Sequence, residues 1–229
     1  MKTGMIATLA GLALAGSASA SFTEFYTVKT TTVSGAVSLD VYKIYARFNG
    51  PTDTILNAFN LNGLAGAPMA AFYHKDNASG NSGSLSSGFG TWNPALTGSA
   101  TLNRPFDSYL TIGGVASATN GTSADPSWGN PLSWNRADIP NNVNAGWFAP
   151  GGSIAGRVGQ AGNTADSVIL GQFVVAAGTG FGGGYSITIG YNSGVAGAPV
   201  QFANGFFLVP APGAIALLGL AGLTGRRRR

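Results

Sequence analysis

Short runs of β-branched and aromatic residues, separated by Gly, Asn, Pro and Ser, recur along most of the chain. No run of comparable length places its apolar residues at helical spacing, so the runs are predicted as strands. The predicted strands cover residues 25–33, 36–48, 69–75, 108–114, 167–177, 185–191 and 199–209. Many short strands with turn residues between them predict an all-β fold, namely a single β-sandwich or jelly-roll-like domain with long loops.

Two of these runs carry a more specific pattern. In residues 36–48, Val37, Leu39 and Val41 alternate in one phase, and the apolar residues from Tyr42 onward alternate in the opposite phase. Because a slip of one residue turns every following side chain over, the pattern predicts a bulge or bend near Val41–Tyr42. Residues 167–177 are apolar almost throughout, which predicts a central strand covered on both faces.

The first 20 residues have the layout of a secretory signal peptide. Lys2 is followed by an apolar stretch over residues 5–15, and small residues at Ala18 and Ala20 define a cleavage site expected after Ala20. The apolar stretch is short for a bilayer span, so export is favoured over a permanent anchor. We therefore expect a signal peptide helix over residues 1–20 that is removed from the mature protein.

The last 21 residues combine three features in order. Pro210 and Pro212 precede an apolar segment, Gly213–Gly225, and four arginines end the chain. The segment has 13 residues, about 20 Å as a helix, and the arginines would resist translocation. These features alone are consistent with a weak C-terminal membrane anchor that leaves the body outside. A basic tail for nucleic acid is a further alternative, but an exported chain rarely meets nucleic acid.

Paired with a signal peptide, this arrangement resembles the PEP-CTERM sorting domain. The resemblance implies that an exosortase-type processing enzyme in the inner membrane recognises the tail and cleaves near the proline motif. By position, Pro210, Ala211 and Pro212 match the motif, Gly213–Gly225 matches the short membrane helix, and the membrane stop is Arg226, Arg227, Arg228 and Arg229. The chain departs from the pattern at Ala211, where the family usually has Glu. The expected division is a signal peptide over 1–20, a β-sandwich body over 21–208 and a sorting segment over 209–229.

The formal net charge of +4 belongs to the two ends of the chain. Five of the 12 Lys and Arg residues are Lys2 and Arg226–Arg229, which leaves 7 cations against 8 acidic residues in the body. A near-neutral body gives no support to nucleic-acid binding. The chain has no cysteine, so disulfides and thiolate metal sites are excluded.

No combination of residues predicts catalysis. His74 is the only histidine and is expected on the polar surface, and no G-x-S-x-G motif occurs. A G-x-G-x-x-G spacing at Gly178, Gly180 and Gly183 is followed by a predicted strand, and no acidic residue follows Asp166, so it is interpreted as a hairpin loop. The aspartates show no spacing that argues for a catalytic pair. We expect no catalytic residue, no metal and no cofactor.

Residues 125–148 carry most of the remaining chemical information, because they contain three tryptophans: Trp128, Trp134 and Trp147. Three interpretations stay open. The rings can pin a long loop onto the sheet, they can be exposed for glycan contact, or the loop can bind calcium through Asp125 and Asp138.

The expected function is that of an exported cell-surface or extracellular-matrix protein with a non-enzymatic structural or adhesive role. The resemblance implies transient residence in the inner membrane and association with exopolysaccharide. A secreted carbohydrate-active enzyme remains an alternative, which two aspartates about 5–10 Å apart in a cleft would favour. A permanently membrane-anchored surface protein is the other alternative, which retention of the arginine tail would favour.

Overall fold

A computed structural model describes most of the predicted body. The described residues are 20–34, 36–63, 72–74, 92–95, 106–117, 119–129, 139–140, 145–151, 153–160, 162–179 and 183–209. They form nine strands and one short 3₁₀ helix, Pro126–Trp128. The strands are β1 Phe22–Ser34, β2 Val37–Phe48, β3 Thr54–Gly63, β4 Tyr109–Leu110, β5 Ser123–Ala124, β6 Gly146–Phe148, β7 Ser167–Ala176, β8 Gly183–Asn192 and β9 Gln201–Val209.

The strands form two antiparallel sheets. The four-stranded sheet has the order β1-β2-β7-β4, and the five-stranded sheet has the order β5-β6-β3-β8-β9. A large apolar core with side chains from both sheets includes Ile44, Ile55, Phe173 and Ile189. The prediction of an all-β, sandwich-like body is thereby confirmed. The signal peptide helix, expected over 1–20, lies outside the described residues except for Ala20, and the C-terminal membrane helix, expected over Gly213–Gly225, lies wholly outside them.

Strand β7 occupies the central position predicted for it. Nine of its ten residues are buried. Val168, Leu170 and Phe173 belong to the large core, whereas Val174 belongs to a second cluster on the other face of the sheet. A strand covered on both faces has no solvent side, which is why its sequence shows almost no polar alternation.

The bulge predicted near Val41–Tyr42 is absent from the pairing of β2. The register of β2 with β1 and with β7 is continuous through both residues. The irregularity with β7 lies between Ile44 and Tyr45. The change of phase has a different cause: Leu39 and Val41 face the outer side of the sheet and are buried there against Tyr73. The prediction was wrong because it assumed that only one face of this strand is covered.

Strand β3 was not among the predicted strands, although it lies at the centre of the five-stranded sheet. Its buried apolar residues Ile55, Ala58 and Leu61 are spaced by three. Two register shifts against β8 insert extra residues, and Asn60 at the second shift has φ of 54°. Two irregularities therefore convert the spacing of two that identifies a strand into a spacing of three.

The edges of the two sheets are protected in two ways. On one side the edge strands β4 and β5 have only two residues each. On the other side β1 and β9 pack together: a Cβ atom added to Gly205 would lie 2.8 Å from the ring of Phe25. Short or covered edges limit pairing with other chains.

Candidate functional site

Two of the three tryptophans that were candidates for glycan contact, Trp128 and Trp147, lie in the core. Trp128 and Trp147 are 0% and 1% exposed, and their ring centroids lie 5.8 Å apart in an edge-to-face arrangement. Trp92, 0% exposed, extends the cluster, with its centroid 5.3 Å from that of Trp128. Neither Trp128 nor Trp147 presents a ring face to a sugar, so the glycan-contact prediction is wrong for these two residues. Trp134 lies outside the described residues.

The burial of these rings follows from local geometry. Trp147 lies on β6 opposite Ala58, whose side chain also belongs to the core. Its indole N–H donates to the carbonyl of Thr111 at 3.1 Å. The burial of Trp128 and Trp147 agrees with the interpretation that the tryptophans fix the long loop onto the sheet, and the hydrogen bond to Thr111 satisfies the polar edge of Trp147.

Asp125, a candidate calcium ligand, caps the 3₁₀ helix that positions Trp128. One side-chain oxygen accepts from the backbone N–H of Ser127 at 2.7 Å, and the other accepts from the N–H of Gly146. Asp138 lies outside the described residues. The part of the chain that the structure describes contains no group of three His, Asp or Glu residues suited to hold a metal ion.

Asp40 is the most deeply buried charged partner of an ion pair, at 2% exposure. It accepts from Lys29 Nζ at 2.9 Å, from Thr31 Oγ1 at 2.8 Å and from the backbone N–H of Gly178 at 2.9 Å. Burial acts to raise the pKa of Asp40, but the hydrogen bonds from Lys29, Gly178 and Thr31 outweigh it and hold that pKa below its usual value. This carboxylate therefore joins β1, β2 and the loop after β7.

A second group of charges lies on the outer face of the four-stranded sheet. Arg47 pairs with Glu24 and with Asp166, and its guanidinium lies 4.5 Å from the ring centroid of Tyr26. Hydrogen bonds from Ser167 and Thr164 lower the pKa of Asp166. The carboxylates of Glu24 and Asp166 are therefore engaged in structural ion pairs with Arg47.

The G-x-G-x-x-G spacing and His74 both differ in detail from the prediction. Gly178 lies in the loop between β7 and β8, which belong to different sheets, so this loop is a crossover and the hairpin interpretation was wrong. The strand expected after it is present, as β8. His74 is 1% exposed and its ring packs edge-on against Trp92, with centroids 4.9 Å apart, so the expected surface position is corrected to a core position.

The described residues also line a cleft of about 320 Å³. Its described lining combines apolar side chains, such as Ile112, Val115 and Pro150, with polar ones, such as Ser117 and Ser153. The lining residues approach closely at Gly113, where φ is 73° and an added Cβ would lie 1.8 Å from the carbonyl oxygen of Ala155. None of the described residues that line this cleft is ionisable, so these residues can form hydrogen bonds but supply no general acid or base.

Asn163 holds the part of the cleft around Ala155 in place. Its amide nitrogen donates to the carbonyls of Ala155 and Arg157 at 2.7 and 2.8 Å, and its amide oxygen accepts from the N–H of Ile169 at 3.1 Å. One side chain thereby joins a loop to β7.

The outer side of the five-stranded sheet is a further surface feature of the described residues. Register and side-chain alternation place the following residues there: Asn57, Phe59, Phe148, Ser186, Thr188, Phe202, Asn204 and Phe206. We call this surface the uncharged face, because none of these side chains is ionisable. Phe202 and Phe206 are 64% and 61% exposed, and Phe148 is 45% exposed. Alternation in residues 199–209 already shows that Phe202, Asn204 and Phe206 share one side of a strand.

The predicted processing residues bracket the described body. Ala20 is described and buried, β1 begins at Phe22, and β9 ends at Val209. Ala18 and the sorting residues from Pro210 to Arg229 lie outside the described residues. Within the part that the structure describes, no helix has the length and apolar character needed to cross a bilayer. Comparison of the chain with protein-family models, curated proteins and solved structures gave no match.

Proposed function

We propose that this protein is exported, held transiently in the inner membrane by its C-terminal segment and sorted by an exosortase-type enzyme to the cell surface or matrix. Its role there is structural or adhesive, with exopolysaccharide as the proposed partner on the strength of the family resemblance. In this proposal residues 1–20 act as a signal peptide helix, and Gly213–Gly225 act as a short membrane helix within the sorting segment 209–229.

One observation carries the proposal. The predicted cleavage sites lie just outside the first and last strands: β1 begins two residues after Ala20, and β9 ends one residue before Pro210. Removal of residues 1–20 and 210–229 would leave all nine described strands intact. A body bounded in this way keeps every described strand on release, and of the described core residues it loses Ala20 alone.

The chemistry of the described body supports a non-enzymatic role. The carboxylates of Asp40, Asp125 and Asp166 are engaged in structural hydrogen bonds or ion pairs, and the cleft lacks ionisable side chains. Burial raises the pKa of Tyr109 and of Tyr185 to about 12, so both phenols stay protonated at neutral pH.

Intact mass of the protein recovered from outside producing cells tests the sorting step. We expect loss of residues 1–20 and of the arginine tail. The matched variants Ala211→Glu and Ala211→Gln sharpen the test: Glu restores the family pattern and should increase the fraction cleaved, whereas Gln has similar size without the charge and should not. Retention of Arg226–Arg229 in all three chains would contradict the proposal.

A permanently anchored surface protein is the second candidate, and Ala211 is the observation that favours it. Ala211 stands where the family usually has Glu, so cleavage of the tail is the step that must be tested in this chain. Retention of the arginine tail in exported protein that sediments with membranes would support this candidate.

A further inference from the structure

We propose that the uncharged face rests on the outer surface of the bilayer while the C-terminal segment still holds the chain in the membrane. The inference rests on the proposed function, since it assumes that residues 213–225 enter the bilayer. It goes further by assigning the face of the body that meets the lipid.

The first argument is the position of the face along the chain. β9 carries Phe202 and Phe206 and ends at Val209, and only residues 210–212 separate it from the apolar segment that begins at Gly213. Val209 and Gly213 are four residue steps apart, which span at most roughly 14 Å at about 3.5 Å per extended residue. The three steps of strand from Phe206 to Val209 add about 10 Å more. Covalent geometry therefore keeps Phe206 within about 20–25 Å of the start of the apolar segment, whatever conformation the linker adopts.

The second argument is the chemistry of the face. Three of its phenylalanines are 45–64% exposed, and Phe202 packs edge-on against Phe59 with centroids 6.2 Å apart. Its polar side chains are neutral, and the Thr188 hydroxyl donates to the side-chain oxygen of Asn204 at 2.6 Å. A surface without charges can approach the interfacial region without the cost of dehydrating an ion, and Phe is among the residues that insert there.

The outer side of the other sheet lacks this chemistry. It carries Arg47, whose partners are Glu24 and Asp166, and it carries Lys43 on the same side of β2. Part of that sheet is also covered, because Tyr73 packs onto Leu39 and Val41. The two outer surfaces are therefore not equivalent, and the uncharged one belongs to the sheet that ends in β9, next to the tail.

The third argument is effective concentration. A short linker turns contact between the face and the bilayer into an intramolecular event, with an effective concentration on the order of millimolar. Weak affinity is then sufficient for occupancy, and no such constraint brings a second copy or a glycan to the same surface. The bilayer is therefore the occupant that the chain geometry favours.

The experiment places a fluorescent probe on the face. The full chain is reconstituted into phosphatidylcholine vesicles whose acyl chains carry bromine near the headgroup, matching the roughly 5–10 Å depth at which interfacial side chains insert. Phe202→Trp and Phe206→Trp report on the face. Val33→Trp is the control, because Val33 is 61% exposed on β1 of the other sheet. The wild-type chain supplies the background of its own 4 tryptophans.

We expect bromine to quench the probes at positions 202 and 206 at least about twofold more than the probe at 33, as contact at interfacial depth requires. Adding Phe202→Asp to the Phe206→Trp chain should lower quenching at 206 towards the control value, because it places a charge on the face. Flotation of the vesicles measures membrane attachment independently of the quenching. A chain that floats but shows equal quenching at all three positions would overturn the docking inference and leave the proposed function standing. A chain that does not float would overturn both.

Discussion

Truncation of Trp147 should cost far more stability than truncation of its neighbour Phe148. The two residues are adjacent on β6 and point to opposite faces, with 1% and 45% of each exposed. Removal of a buried Phe or Trp side chain typically costs about 3–5 kcal/mol, because the lost apolar contacts are compounded by a cavity. Trp147→Ala also removes the donor to the Thr111 carbonyl, which places the expected loss in the upper part of that range.

Two further variants separate the hydrogen bond of Trp147 from its packing and compare the two faces of β6. Trp147→Phe keeps most of the ring but leaves the Thr111 carbonyl without its indole donor, which should cost about 1–3 kcal/mol. Phe148→Ala removes a half-exposed ring from the uncharged face and should cost less than about 1 kcal/mol. Domains of this kind have total stabilities of about 5–15 kcal/mol, so Trp147→Ala alone removes a large share.

Urea unfolding followed by near-ultraviolet circular dichroism gives the free energy of unfolding and its denaturant dependence for each chain. At about 2–4 °C per kcal/mol for a body of this size, Trp147→Ala should also lower Tm by roughly 6–20 °C. If Trp147→Ala remains within about 1 kcal/mol of the wild-type chain with an unchanged slope, while Phe148→Ala costs more, the two faces of β6 have been assigned the wrong way round.

Three other substitutions test the polar contacts. Asn163→Asp replaces a donor to two carbonyls at 2.7 and 2.8 Å by a carboxylate and should cost about 2–3 kcal/mol. Asn204→Asp should cost much less in the same urea titration, because Asn204 accepts through its side-chain oxygen, and equal losses would count against the assigned donor. Asp40→Asn should remove stability that the wild-type chain holds above pH 3.8, since a lowered pKa in the folded state stabilises the fold above the unfolded value and is lost on acidification. The pKa of Lys29 is raised above 10.5, chiefly by its hydrogen bond to Asp40, so Lys29 stays charged at neutral pH. The loss in unfolding free energy of Asp40→Asn relative to the wild-type chain should therefore be constant at neutral pH and shrink below pH 3.8. A loss that grows on acidification would contradict this linkage.

The strands that follow simple rules could be predicted from the sequence. β2, β7, β8 and β9 each fall within two residues of a predicted run at both ends. Their buried positions either alternate or are continuous, and both patterns can be recognised in the sequence without knowledge of the fold. β3 could not be found in this way, because its two register shifts are set by the partner strand β8 and are invisible in a single strand.

Burial of the tryptophans could not be predicted, since an indole is suited equally to a core and to a glycan surface. The deciding facts are long-range: Trp147 faces Ala58 across the sheet, and Trp92 reaches Trp128 from a segment 36 residues earlier. The role of Asp125 could be inferred more directly from the sequence, because an aspartate followed by Pro-Ser-Trp has the composition of a capped turn. Side chains that act locally are predictable from local sequence, whereas those that act across the core are not.

Several described strands carry apolar residues on both faces, and three of them, β2, β7 and β9, differ in what covers them. β7 is buried on both sides, and the Leu39–Val41 part of β2 is covered on its outer side by Tyr73. On β9, Phe207 points into the core, whereas Phe202 and Phe206 point outward and remain more than 60% exposed. The two-sided pattern of these covered strands is thus left uncovered on β9, which leads into the proposed sorting segment. Since large exposed apolar groups on a folded body usually mark a contact surface, Phe202 and Phe206 support the proposed contact with the membrane.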